Sequence, residues 1–177
     1  YGNQLVTLDG CSVKNNVTTG TGALHLSKNL TVVGNFKAVT TGELTTAYVG
    51  GIAAYGHWSH YFLSYGNYET VSSVIENCTF IGTVSGEASN MTEVGGIAGY
   101  FTSGTMTNCV SAATATTNQC SYPYVSGLVG RIFDSTFTNC YYDTTLCNLD
   151  SNSEGTPEGV TGLATADFAD GAVAYAL

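Results

Sequence analysis

Positive charge, proline and long apolar segments are all scarce in this chain of 177 residues. It has four Lys and Arg against 13 Asp and Glu, which gives a formal net charge of -9. Nucleic acids and anionic membranes are bound through clustered cations, so the composition argues against both as partners. No segment approaches the length of a membrane-spanning helix, and membrane insertion is therefore not expected.

The residues that are plentiful favour strands and turns over helices. Only 10% of the residues are charged, whereas Gly, Thr, Ser, Val and Tyr are common. Long helices are usually built from Ala, Leu, Glu, Lys and Arg, while β-branched and aromatic residues favour strands. With 22 Gly and two Pro, the sequence predicts many short strands joined by turns. Its length fits a single domain with a sizeable core.

An internal repeat organises the sequence. Cys78, Cys109 and Cys140 each follow an Asn, and the two intervals between these Cys are equal. The Gly-rich segments VGGIAGY at 94–100 and VSGLVGR at 125–131 keep the same spacing. Cys11 and Asn35 align with this Cys column in weaker copies, so residues 1–44 read as irregular N-terminal coils. The whole chain, 1–177, is predicted to be one repeat domain.

Short strands repeated at a fixed period predict an all-β fold, a parallel β-solenoid with coils of about 31 residues. One coil cannot bury its apolar face alone, so stacked neighbours supply the core. Asn77, Asn108 and Asn139 predict a ladder of side-chain amides, hydrogen-bonded along the stack at the strand spacing of about 4.8 Å. A β-sandwich, the alternative, also has short strands and frequent turns, but it does not explain the repeat.

The copy that precedes Cys78 is longer than the others, because it carries an insertion between Tyr55 and Val74. A protrusion over 56–73, outside the coil, is expected because removing the insertion restores the spacing. Two roles stay open for its aromatic rings: they cover the flank of the solenoid, or they bind a glycan or a protein. The candidate ligand-binding residues are Tyr55, Trp58, Tyr61, Tyr65 and Tyr68.

The cysteines of the repeat are expected to be reduced and buried. Stacked neighbours place their Cβ atoms near the strand spacing of about 4.8 Å, which exceeds the usual disulfide value of about 3.8 Å. Free cysteine behaves as a small apolar residue and suits such a column. Cys120 and Cys147 lie off the column, in loops of successive coils, and form the candidate disulfide.

Motifs for metal binding are weak. His57 and His60 have the spacing of ligands on a helical turn, but no metalloprotease motif accompanies them. A calcium loop is suggested by its front half alone, because Thr161 stands where the bidentate Glu is required. The weak calcium candidates are Asp150, Asn152 and Glu154.

No convergent set of catalytic residues is visible, so we expect neither an enzyme nor a cofactor. Residues 148–177 are expected to form a loop and a short helical cap over the open end of the stack. Thr165 is the candidate N-cap of that helix, with Asp167 near its positive end.

The segments EVGGIAGY, YVSGLVGR, TNCVSAATAT and TNCYYDTT resemble the GLUG repeat of bacterial surface and secreted proteins. The last copy, NCYYDT at 139–144, and GLAT at 162–165 are similar to the ending of that family. The GLUG-like repeats cover 45–147, and the resemblance as a whole extends over about 45–170.

The resemblance implies a secreted or cell-surface bacterial module without catalytic residues. Its expected function is that of an adhesin scaffold or an adhesive segment, joined to neighbouring domains of a larger chain. Expected partners are glycans or proteins of a host or bacterial surface. The alternatives are a carbohydrate-binding module that uses the aromatic loop 55–68, and an accessory region of an extracellular peptidase.

Overall fold

The computed structural model describes residues 7–9, 12–14, 26–56, 59–64, 67–118, 120–147 and 156–169. Nearly all of its regular structure is β, and α1 (Thr165–Ala169) is the one helix in these ranges. The strands in chain order are β1 (Thr7–Asp9), β2 (Ser12–Lys14), β3 (Leu26–Lys28), β4 (Thr31–Val39), β5 (Thr46–Gly50), β6 (Ala53–Gly56), β7 (Ser59–Ser64), β8 (Asn67–Val71), β9 (Val74–Glu76), β10 (Thr79–Glu87), β11 (Met91–Gly95), β12 (Ala98–Thr102), β13 (Thr105–Thr107), β14 (Val110–Thr117), β15 (Tyr122–Ser126), β16 (Val129–Phe133), β17 (Thr136–Thr138), β18 (Cys140–Asp143) and β19 (Val160–Leu163).

Four sheets hold all of these strands except β7 and β8, and every pairing within the four is parallel. Sheet I has the order β1-β3-β9-β13-β17, and sheet II has the order β19-β18-β14-β10-β4-β2. Sheet III is β15-β11-β5, and sheet IV is β16-β12-β6. The fold is therefore all-β with parallel sheets. The β-sandwich alternative is wrong, because it requires antiparallel pairing.

The sequence repeat and the strand register coincide. Thr79 lies opposite Val110, and Val110 lies opposite Tyr141, which is one step of the repeat each time. Both repeats between β9 and β16 contribute one strand to each of the four sheets. In the N-terminal copy the expected alignment of Asn35 is wrong, because Asn35 lies opposite Thr83 in the middle of β4. The residue of that copy that bonds Asn77 is Asn29.

The core is built from apolar columns that run across the sheets. Val49, Val94 and Val125 are opposite one another in sheet III, and each is at most 3% exposed. Sheet I supplies Ile75, Met106 and Phe137 in the same way. Burial of each such side chain contributes about 1.5–3 kcal/mol. Stacking of repeats therefore creates the apolar core.

Sheets III and IV approach each other backbone to backbone, and this explains the Gly-rich segments of the repeat. A Cβ atom on Gly99 would lie 2.6 Å from the carbonyl oxygens of Ala54 and Glu93, and 2.7 Å from the amide nitrogen of Val49. A Cβ on Gly130, opposite Gly99 in the next strand, would lie 2.5 Å from the amide nitrogen of Val94. Only glycine allows so close an approach.

The inserted segment forms a hairpin of its own. β7 and β8 pair antiparallel, with Ser59 opposite Val71, and they form a two-stranded sheet separate from the other four. In the other two repeats the chain passes from sheet IV to sheet I through two residues, 103–104 and 134–135. The hairpin thus replaces a short turn.

The C-terminal helix is attached to the stack through Asp143. Asp143 is 3% exposed, and its carboxylate accepts hydrogen bonds from the Thr165 hydroxyl at 2.7 Å and the Thr145 amide at 2.8 Å. The expected N-cap role of Thr165 is wrong, because Thr165 already lies in α1. The start of the helix is instead capped by Asp167, whose carboxylate accepts a hydrogen bond from the amide N–H of Ala164 at 3.0 Å. None of the residues described forms a helix long and apolar enough to cross a membrane.

Candidate functional site

The asparagine column forms a continuous ladder along the stack. The Nδ2 of Asn77 donates to Oδ1 of Asn29 at 3.0 Å, Asn108 donates to Asn77 at 3.0 Å, and Asn139 donates to Asn108 at 3.3 Å. All four residues have φ between 50° and 55°, in the left-handed region. Asparagine adopts this region more readily than other non-glycine residues because its short amide bonds locally. The Asn therefore both makes the turn and links the repeats, with its amide on the solvent side.

The thiols of the next residues point inward. Cys78, Cys109 and Cys140 are fully buried and free. Each donates to a backbone carbonyl two residues earlier, at 3.2 to 3.4 Å. Interaction with the neighbouring thiols, together with burial, raises the pKa of Cys109, and the same interaction lowers the pKa of Cys78 and of Cys140. Because all three are fully buried, these free thiols serve packing.

The suggested disulfide is absent, because Cys120 and Cys147 are both free thiols. Cys147 is 5% exposed and belongs to the apolar core. Cys120 is half-buried and its sulfur lies 3.3 Å from the hydroxyl of Thr92. Each thiol is thus engaged in packing of its own. Cys11 lies outside the residues that the structure describes.

Four half-buried tyrosines meet on the joined outer surfaces of sheets III and IV. Tyr48 and Tyr124 flank Glu93 in register in sheet III, and Tyr55 and Arg131 flank Tyr100 in sheet IV. The rings of Tyr48 and Tyr55 are edge to face with centroids 5.2 Å apart, and those of Tyr55 and Tyr100 are 5.1 Å apart. We call this group the tyrosine face; its members are Tyr48, Tyr55, Glu93, Tyr100, Tyr124 and Arg131.

Glu93 is the buried charge of the tyrosine face. It is 1% exposed, and its Oε1 accepts a hydrogen bond from Nη1 of Arg131 at 3.1 Å. Burial raises the pKa of Glu93, and the bond to Arg131 opposes that rise. The same bond raises the pKa of Arg131. The second carboxylate oxygen of Glu93, Oε2, is also buried, and no group in the described part of the chain forms a hydrogen bond with it.

Arg131 covers two of the rings. Its guanidinium lies 5.5 Å from the ring centroid of Tyr100 and 5.1 Å from that of Tyr124, both within the range of a cation–π contact. Desolvation is the main cause that raises the pKa of Tyr48 and of Tyr55, and Glu93 adds to both shifts. The tyrosine face thus combines aromatic rings, the guanidinium of Arg131 and a buried carboxylate oxygen that has no donor among the described residues.

The residues predicted from the insertion are only partly brought together. Tyr55 belongs to β6 and to the tyrosine face, and is not part of the hairpin. Tyr61, Tyr68 and His60 are placed in the hairpin through their backbone. Trp58, Tyr65 and His57 lie outside the described residues, as do the calcium candidates Asp150, Asn152 and Glu154. The ranges that the structure does describe contain no group of three or more His, Cys, Asp or Glu placed to hold a metal ion.

Sequence reasoning missed most of the tyrosine face, although the repeat carried a signal for it. Tyr48, Glu93 and Tyr124 stand two residues before Gly50, Gly95 and Ser126 in three aligned copies. Tyr55, Tyr100 and Arg131 occupy a second aligned position. What the alignment could not give is the close approach of sheets III and IV, which puts the two positions side by side.

Comparisons of the chain with protein-family models, curated proteins and solved structures find no match. The resemblance to the GLUG repeat therefore stays a prediction that depends on the quoted segments.

Proposed function

We propose that this chain is a parallel β-solenoid module whose role is to be a non-catalytic scaffold or adhesive segment of a secreted or cell-surface bacterial protein. The observation that carries the proposal is the asparagine ladder, which joins four successive copies in one column through bonds of 3.0 to 3.3 Å. A ladder of this kind needs identical turns stacked at the strand spacing. Such stacking is the property of solenoid coils.

Two further features support a scaffold. Each repeat adds one strand to each sheet in unchanged register, so length grows by addition of copies. The residues that recur at the repeat spacing are Cys, Gly and apolar residues, and they pack the interior. None of these positions needs a catalytic side chain. A long, regular body of this kind presents its loops and outer faces at fixed positions. The surface location depends on the GLUG resemblance.

The solenoid proposal is tested by deleting one coil, with both ends of the deletion placed within strands. Deleting 84–114, one full repeat, joins Thr83 to Ala115, the residue that lies opposite Val84. We expect a shorter protein that unfolds cooperatively in urea, because every inward residue keeps its position. The control deletes 84–113 and shifts the rest of the strand by one residue, which exchanges its inward and outward faces. Equal stability of the two deletions would contradict the proposal.

The surface location has its own test. Intact cells that produce the protein are treated with an added protease, and the fragments are identified by mass spectrometry. Cleavage in loops such as 40–45, where Leu44 is 82% exposed, is the expected result. Complete protection in cells, together with cleavage after lysis, would show that the proposed location is wrong. The carbohydrate-binding and peptidase-accessory alternatives remain as proposals of the same kind.

A further inference from the structure

The tyrosine face contains a polar atom whose partner is missing. Glu93 is 1% exposed, and its Oε2 has no hydrogen-bond donor among the residues described. A buried carboxylate oxygen without a donor destabilises a fold, since it loses its bonds to water and gains none. Such a group calls for an explanation, and a donor from water or from a bound molecule is one that satisfies it.

The surroundings of that oxygen limit the class of molecule. The charge of Glu93 is already paired with Arg131 at 3.1 Å, so the pair as a whole is neutral. A further cation would compete with Arg131 for the same carboxylate. An anion would face both Glu93 and a chain of net charge -9. A neutral molecule that carries hydroxyl donors satisfies the oxygen without either penalty.

The rings supply the second half of the recognition. Four tyrosines of the face are half-buried and none is fully enclosed: Tyr48, Tyr55, Tyr100 and Tyr124. Aromatic rings bind flat apolar surfaces well, and the C–H side of a pyranose ring is such a surface. Arg131 has guanidinium N–H groups beyond the one that bonds Glu93, and these donate to oxygen acceptors. A sugar presents an apolar side, hydroxyl donors and oxygen acceptors together.

We propose that the tyrosine face binds a neutral glycan. A pyranose ring lies on the tyrosine rings, one of its hydroxyl groups donates to Oε2 of Glu93, and Arg131 donates to an oxygen of the sugar. Access to Oε2 requires one covering side chain to rotate. In this complex the Arg131 guanidinium, whose side chain is 39% exposed, pivots about its bond to Oε1 of Glu93 and moves off Tyr100 and Tyr124, so the ion pair stays intact.

The proposal is tested on the full chain with four uncharged probes: xylohexaose, mannohexaose, cellohexaose and chitohexaose. Binding is measured by saturation-transfer difference NMR and by calorimetric titration at millimolar sugar. Tyr100→Leu keeps an apolar side chain but removes the ring, and Glu93→Gln keeps the size of the side chain but removes the carboxylate. Tyr141→Ala is the control, since Tyr141 is a half-buried tyrosine on sheet II. Thermal unfolding is recorded for every variant.

At least one probe is expected to bind the wild-type protein and the Tyr141→Ala variant equally. Tyr100→Leu and Glu93→Gln, while still folded, are each expected to weaken that binding at least about tenfold. Three results would overturn the proposal: no probe binds, either folded variant binds as the wild type does, or arginine amide at the same concentration abolishes sugar binding. None of these results bears on the coil-deletion test, so failure of the glycan site and failure of the scaffold are distinguishable.

Discussion

Replacing Asn108 by Ala tests the two tasks that the ladder asparagine performs. The side-chain amide of Asn108 donates to Asn77 at 3.0 Å and accepts from Asn139 at 3.3 Å. Its backbone has φ of 52°, a region that costs an L-residue with a Cβ about 1–2 kcal/mol. Asn108→Ala removes both hydrogen bonds and leaves the chain with a residue that is poorly suited to the turn.

The expected magnitude follows from the exposure of the ladder. Asn77 and Asn139 are exposed and Asn108 is half-buried, so the freed amides regain bonds to water. Each lost bond therefore costs about 0.5 kcal/mol, the low end of the usual range. With the backbone cost of about 1–2 kcal/mol, Asn108→Ala should lower the free energy of unfolding by about 2–3 kcal/mol. Asn108→Gly loses the same bonds but tolerates the turn, and should lower it by about 1 kcal/mol less than Ala does.

Urea denaturation followed by far-ultraviolet circular dichroism measures both variants, with stability read from the midpoint at constant slope. The separation between Ala and Gly isolates the backbone contribution. Identical midpoints for the two variants would refute the argument about the left-handed turn. Wild-type midpoints for both would refute the ladder as a source of stability.

Three other outcomes are expected from the packing and the charges. Gly99→Ala places a Cβ atom 2.6 Å from two carbonyl oxygens and should lower the free energy of unfolding by about 3 kcal/mol or more; an unchanged urea midpoint would contradict the close approach of the sheets. Iodoacetamide should modify Cys120 in the folded protein and reach the buried column only after unfolding, which mass spectrometry of tryptic peptides would show for Cys78, Cys109 and Cys140. Burial raises the pKa of Glu93 above its ordinary value of 4.5. Protonation of Glu93 therefore stabilises the folded protein fully below pH 4.5, and this contribution to the free energy of unfolding is lost as the pH rises through the pKa of the folded state. Glu93→Gln should therefore lose less free energy of unfolding than the wild type as the pH rises from 4.5, measured by urea denaturation at a series of pH values. Parallel pH profiles of the two proteins would contradict the raised pKa of Glu93.

The sequence predicted the stacking well because the repeat places equal residues at equal positions. Asn and Cys at a constant period imply one column each, and only a parallel register keeps those columns aligned. The reduced state of the column Cys followed from the usual spacing of strands and of disulfides. The misplacement of Asn35 had a physical reason: the N-terminal copy carries Leu30 where later copies have Cys, so the marker residue was missing.

The tyrosine face was harder to predict because its members are joined by packing between sheets, which has no local signal. Glu93 stands in the segment EVGGIAGY, where a charged residue before a Gly pair looks like a solvated strand end. Its burial depends on rings contributed by the preceding and following repeats. Asp143 is a similar case, since its two bonds reach residues of the turn and the cap that only the folded chain brings near.

The hairpin of β7 and β8 marks a place where the repeat accepts added length. Elsewhere two residues carry the chain from sheet IV to sheet I, whereas here the whole segment 57–73 separates β6 from β9. β9 nonetheless lies in register with β13, Val74 opposite Thr105. An excursion at this corner therefore leaves the phase of the following copies intact, so a peptide epitope or a small folded domain can be grafted there. Through insertions at this turn, single copies of an otherwise uniform repeat can acquire binding properties of their own.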